Sequence, residues 1–205
     1  MKKSIMVIVV TVILFVLLST WNIKPVSAPP YQHPKPSITP EILENGQYRF
    51  ADDEVGYSFT YAPQTLSISV GNDRGEQYNH LSVQFAQIDG YGYQGMILYV
   101  LPNPNQLSLN EFLLKEFTGR WTKKTPQPNI SESDLGEYFT VDGQPAIKTS
   151  IPFYIETGGP FSVFIQNGDT IISMGPMYGL MKASELAPET VVVFERILKT
   201  MSFTP

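Results

Sequence analysis

The sequence predicts an α+β domain: an antiparallel β-sheet flanked by two main helices and preceded by an N-terminal transmembrane or signal helix. Four apolar runs within residues 135–174 are separated by Asp142-Gly143, Gly158-Gly159 and Asn167-Gly168, which are dipeptides favoured in tight hairpins. Two other segments repeat apolar residues at helical spacing, and a long apolar run follows the first lysines. Together these three observations give the fold class.

The hairpin region alternates apolar and polar side chains with a period of two. One face would carry Ile147, Ile151, Phe153 and Ile155, and the pattern continues with Phe161, Val163 and Ile165. The opposite face would carry Lys148, Ser150 and Tyr154. We therefore expect a four-stranded antiparallel meander with one face buried and the other partly exposed to water.

The rest of the body supplies further strands and the two helices. Strands are expected near residues 48–51, 57–61, 66–70, 81–85 and 96–101. Ser108-Leu109-Asn110-Glu111 is a capping box, and the helix that it opens would end near Gly119. Pro188 suits the first turn of a second helix. Strands, helix, strands and helix in this order indicate helices packed on a sheet.

The composition excludes several classes of chemistry. With 205 residues the chain allows one domain plus a tail. It has no cysteine, which excludes disulfides, thiol catalysis, thiolate metal sites and a lipid-modified cysteine. Two histidines, His33 and His80, leave little material for a zinc site. We predict no cofactor and no metal site, and we identify no catalytic residue.

The charge is distributed unevenly along the chain. Four of the 14 basic residues and none of the 19 acidic ones lie in residues 1–40, so residues 41–205 carry a formal charge of about −9. Phosphate backbones bind to basic surfaces. Nucleic acid is therefore excluded as an expected partner.

The N-terminus has the pattern of an export segment. Residues 1–3 would form a cytoplasmic stub with two lysines, and an apolar run interrupted only by Thr11 extends from Ile5 to Leu18. As a helix, residues 4–23 would be long enough to span a bilayer. We expect a signal anchor that places the C-terminal domain outside the cytoplasm at the cell membrane. Cleavage after Val26-Ser27-Ala28, giving a secreted protein, is the alternative, although Pro29 would follow the cut.

A proline-rich stalk is expected at residues 24–45, followed by the domain at residues 46–205. The stalk prolines are Pro25, Pro29, Pro30, Pro34, Pro36 and Pro40. Proline at this density favours an extended spacer. Glu41 to Glu44, at its end, is interpreted as a short helical turn.

The segment Gly90-Tyr91-Gly92-Tyr93-Gln94-Gly95 satisfies the dinucleotide pattern G-x-G-x-x-G. That fingerprint requires a following helix, whereas Met96 to Leu101 alternates like a strand. We interpret it as a hairpin loop. Because tyrosine is enriched in protein interfaces, Tyr91 and Tyr93 form a candidate contact surface.

Two other groups of residues are weaker candidates for metal binding. Asp52-Asp53-Glu54, and separately Asp73 with Glu76, lack the ligand spacing of a calcium loop. Met174, Met177 and Met181 have thioethers suited to copper(I). Solvated loops and core packing are the favoured interpretations.

Several of these segments resemble the PsbP-like family. Gly56 to Pro63 resembles its glycine–aromatic–Ser–Phe–x–Tyr–Pro opening, although Ala62 interrupts the Tyr-Pro pair, and Gly143 to Ala146 resembles its mid-chain turn. Its closing helix and terminal strand resemble Phe194, Ile197, Leu198, Ser202 and Phe203. The resemblance covers most of residues 46–204 and implies an α/β/α sandwich whose members mostly bind or assemble other proteins. It carries over no functional residue.

The expected function is a membrane-anchored extracytoplasmic binding or assembly module with no catalytic activity of its own. Its expected partners are the membrane, through the N-terminal helix, and another protein. The sequence does not indicate whether a small ligand also binds. The alternative is an exported hydrolase, or a small-ligand or metal-binding protein, that uses acidic residues not identifiable from sequence.

Overall fold

The computed structural model describes residues 41–62, 66–72, 79–85, 94–120, 129–151, 160–178 and 188–204. The strands before the first helix are β1 (Glu41–Ile42), β2 (Tyr48–Asp52), β3 (Tyr57–Tyr61), β4 (Leu66–Asn72), β5 (Asn79–Phe85) and β6 (Gln94–Pro102). Helix α1 (Leu109–Arg120) and a 3₁₀ turn (Glu132–Asp134) follow. The remaining elements are β7 (Glu137–Val141), β8 (Gln144–Thr149), β9 (Ser162–Asn167), β10 (Thr170–Tyr178), α2 (Pro188–Thr200) and β11 (Ser202–Phe203).

The mixed α+β class, the antiparallel pairing and the two main helices are confirmed. The strands divide between two sheets, however, where the sequence predicted one. The larger sheet has the order β4-β5-β6-β10-β9-β8-β7, and the smaller has the order β1-β2-β3-β11. The last strand, β11, joins the smaller sheet next to β3, where Ser202 pairs with Ser58 and Phe203 with Tyr57.

The meander β7-β8-β9-β10 is confirmed by the strand order. Asp142 and Gly143 connect the pair Val141–Gln144 with φ of 49° and 80°, which is the conformation of a type I′ turn. The β9–β10 loop is Gly168-Asp169, one residue later than the predicted dipeptide, because Asn167 itself pairs with Thr170. Gly158-Gly159 lies outside the described residues.

Both faces of the larger sheet carry a buried apolar cluster, so the prediction that only one face is buried is wrong. Val163, Phe164 and Ile165 are consecutive in β9 and each is 0% exposed. Their side chains point alternately to opposite faces. Phe164 lies in a cluster with α1, whereas Val163 and Ile165 lie in a second cluster with α2 and the smaller sheet. Each face therefore has its own apolar cover.

Each helix is held at its start by a side-chain hydrogen bond. At α1 the Ser108 amide and hydroxyl donate to the Glu111 carboxylate at 2.9 and 2.7 Å, which confirms the capping box. Helix α2 begins at Pro188 as predicted, and the buried Thr190 hydroxyl donates to Gln94 of β6 at 2.7 Å.

Among the residues that the structure describes, no helix combines the length and hydropathy needed to cross a membrane.

The short helical turn expected from Glu41 is wrong. Glu41 and Ile42 form β1 and pair with Arg49 and Tyr48 of β2. The Arg49 guanidinium also lies 3.4 Å from the Glu41 carboxylate. Pairing with the edge of β2 therefore outweighs the helical propensity of this short segment.

Two side chains connect the sheets at their loops. The Asn167 side-chain amide donates to the carbonyl of Val55 at 2.8 Å, in the loop between β2 and β3. The Asp142 carboxylate accepts the amide N–H of Phe203 at 2.9 Å. Asp142 therefore attaches the β7–β8 turn to the last strand of the smaller sheet.

The buried phenol of Tyr57 predicts a loss of stability at alkaline pH. Tyr57 is 3% exposed, and burial, followed by the charge of Asp52, raises its pKa well above the usual value. The unfolded chain ionises near pH 10 whereas the folded chain keeps the proton. The free energy of unfolding is therefore unaffected below pH ~10 and falls above it, by up to about 1.4 kcal/mol per pH unit.

The test is urea unfolding of the full chain between pH 9 and 11. Tyr57→Phe should reduce the alkaline decline, while Tyr138→Phe, at a tyrosine that is 52% exposed, should retain it. Burial also raises the pKa of Tyr61, so part of the decline should persist. An equally steep decline in Tyr57→Phe would contradict the assignment.

Candidate binding groove

A cavity of about 460 Å³ lies between α2 and the strands β7, β8 and β9. Its strand side is formed by Phe139, Val141, Phe161 and Val163. Its helix side is formed by Phe194 and Leu198, with Met201 just beyond the helix. We call this cavity the α2–β7 groove; its volume falls within the range of protein ligand sites.

Local sequence patterns place these side chains. Glu137, Phe139 and Val141 are alternate residues of β7 and so point to one face of the sheet. Phe194 and Leu198 are four residues apart and so lie on one face of α2. The groove forms where the helix and the edge strand leave a gap over the same sheet face.

Charged side chains surround the apolar interior of the groove. Glu137, Asp142 and Glu195 supply three carboxylates, and Lys148 and Lys199 supply two ammonium groups. Glu137 pairs directly with Lys148 in the β7–β8 ladder. The Lys148 ammonium lies 4.3 Å from the Phe161 ring centroid, a cation–π contact that holds this charge against the groove wall.

Among the described strands, β7 lies at one edge of the larger sheet. Its side chain Tyr138 is 52% exposed, on the face opposite to the groove. The turn before it is acidic: the Ser131 hydroxyl and amide donate to Asp134 at 2.7 and 2.8 Å and lower the pKa of that carboxyl. The approach to β7 is therefore negatively charged at neutral pH.

Several residues singled out in the sequence lie elsewhere or serve the fold. Tyr91 and Tyr93 lie outside the described residues. The strand β6 begins at Gln94, where the dinucleotide fingerprint requires a helix. Asp52 is buried and accepts the amide N–H of Val55 at 3.1 Å, so its carboxylate organises the β2–β3 loop.

The two described methionines of the copper(I) candidate lie on opposite faces of one strand. Met174 is buried in the core, and Met177, three residues along the same strand, points to the opposite face. Met181 lies outside the described residues. Within the described ranges no group of three or more His, Asp or Glu side chains is placed to hold a metal ion.

Sequence reasoning did not identify the α2–β7 groove. A usable signal was present in α2, where Glu195 and Lys199 border the apolar stripe four residues apart. The partner surface, some 50 residues earlier in β7, is joined to it only by the tertiary fold. Comparisons with protein-family models, curated proteins and solved structures found no match.

Proposed function

We propose that residues 46–205 form a binding or assembly module with no catalytic activity of its own. Residues 4–23 would anchor it in the membrane, and the proline-rich residues 24–40 would hold it away from the surface on the extracytoplasmic side, since β1 already pairs within the body. The observation that carries this proposal is the α2–β7 groove, with its apolar interior and charged rim. An apolar cleft with a few oriented charges is the usual form of a binding site.

A PsbP-like α/β/α sandwich is the fold that we propose for this body. It is supported by the placement of α1 and α2 against opposite faces of the larger sheet. The motifs that carry the resemblance lie in or beside regular elements of this chain, since Gly56 precedes β3, Gly143 lies in the β7–β8 turn, and Phe194 belongs to α2.

The proposal is tested by photo-cross-linking the full chain in its own membrane. A photoreactive residue replaces Leu198, which is partly buried and lines the groove, or Asn105, which is exposed and lies outside it. We expect an adduct with a second protein from position 198 only. Equal adducts from both positions, or none from 198, would contradict a binding groove.

Location is tested on the same membranes. External protease should digest the domain while carbonate washing leaves the chain in the membrane; release by carbonate would contradict the anchor. The competing hydrolase hypothesis predicts turnover in a substrate screen that Glu137→Gln or Glu195→Gln abolishes. That result would replace the binding proposal.

A further inference from the structure

On the basis of the proposed function, we propose that the partner binds as an extended, basic polypeptide segment that adds a strand to the edge of β7. One of its apolar side chains would enter the α2–β7 groove. Main-chain hydrogen bonds would supply affinity, and the groove would select the side chain, as in other cases of strand addition.

The main chain of β7 has the pattern that strand addition requires. Val141 and Gln144 close a two-residue turn and so form a hydrogen-bonded pair, after which bonded and non-bonded pairs alternate. Tyr138 and Thr140 therefore turn their main-chain N–H and C=O groups away from β8. Pro145, opposite Thr140, has no N–H to donate, which is compatible with a non-bonded pair.

These outward groups have no hydrogen-bond partner within the described part of the chain. In the sheet order, β8 is the only neighbour of β7 among the described strands. An unpaired strand edge is a template for another chain. The edge is short, with five residues, which limits the added strand to a similar length.

The α2–β7 groove lies beside the β7 edge, on the face of the larger sheet on which α2 packs. Phe139 points into it from β7, and α2 borders it with Leu198. Side chains of an added strand would alternate between the two faces of the sheet. Every second side chain would therefore lie on the groove face, and the one opposite Phe139 would lie over the groove opening.

Charge complementarity specifies a basic segment. Glu132 and Asp134 precede β7, Glu137 begins it, and Glu195 faces the groove from α2. Lys148 and Lys199 offset these acids in part, but residues 41–205 as a whole carry about −9. Lysine or arginine beside the apolar side chain would be attracted to this edge, and an acidic segment would be repelled.

The test uses fluorescence anisotropy with the full chain in non-ionic detergent. The probe is an eight-residue lysine peptide with one central valine, so that lysine lies on both faces of the added strand, and a peptide with glutamate in place of lysine is the charge control. We expect the lysine peptide to bind about tenfold or more tightly than the glutamate peptide, with weaker binding at high salt. Equal affinities would overturn the charge assignment.

The hydrogen-bonding claim has its own test with the unaltered protein. Two versions of the lysine peptide are N-methylated at alternate amides, in one register or in the other. Strand addition requires that only one register loses binding, because only alternate amides face β7. Equal binding by both, or loss from both, would overturn it.

Thr140→Pro and Thr140→Val form the matched protein variants. Proline removes the outward N–H and is tolerated at sheet edges, whereas valine keeps it. We expect proline to weaken lysine-peptide binding about tenfold or more and valine to leave it within about twofold. Unchanged binding by the proline variant would overturn strand addition. If the photo-cross-link from position 198 persisted in the Thr140→Pro chain, the proposed function would stand and only strand addition would be rejected.

Discussion

Gly136→Ala is expected to dislodge the start of β7 and to destabilise the protein by more than about 3 kcal/mol. Gly136 has φ of +123°, a conformation that residues with a side chain rarely adopt. A methyl group there would also collide with the carbonyl oxygen of Lys148, and would lie 3.1 Å from the Cα atom of Thr149. These are main-chain atoms of β8, so no side-chain rotation relieves the contact.

The matched control is Gly143→Ala, in the turn at the other end of the same hairpin. Gly143 also has a positive φ, +80°, but an added methyl group there meets no atom within 4 Å. It should therefore cost only the conformational term, about 1 kcal/mol. Urea unfolding compares the two variants, and hydrogen exchange should show loss of protection in β7 and β8 for Gly136→Ala alone. Similar stabilities would contradict the close approach of the two strands.

The contrast between these glycines also shows which parts of the fold local sequence determines. Asp142-Gly143 is a turn signal because both residues tolerate positive φ, and the hairpin that it predicts is present. The capping box at Ser108 and the proline at 188 located the helix starts for similar local reasons. The constraint on Gly136 comes instead from the main chain of β8, which local sequence does not reveal.

The division into two sheets and the groove depend on long-range pairing. Ser58 and Ser202 are 144 residues apart in the sequence, yet they pair and their hydroxyls are hydrogen-bonded. No local pattern selects that pairing over an extension of the larger sheet. Continuous apolar stretches such as residues 163–165 are typical of strands covered on both faces, but the alternation around Lys148 suggested a wet face. Lys148 is instead half-buried against Phe161, with its charge at the groove wall.

Phe194→Ala is expected to cost about 3 to 5 kcal/mol of unfolding free energy. Phe194 is 1% exposed and packs edge-to-face with Phe161 at a centroid distance of 5.4 Å, so it connects α2 to the larger sheet. Its removal leaves a cavity that opens directly into the α2–β7 groove. Thermal and urea unfolding of the full chain measure the loss.

The control on the same helix is Val192→Ala, at a side chain that is 53% exposed, for which a change within about 0.5 kcal/mol is expected. Phe194→Leu separates packing from groove shape. Leucine keeps most of the buried apolar area and should recover much of the stability, but it removes the ring that borders the groove. If Phe194→Ala were as stable as Val192→Ala, α2 would not be packed on the sheet, and the wall of the groove would be lost with it.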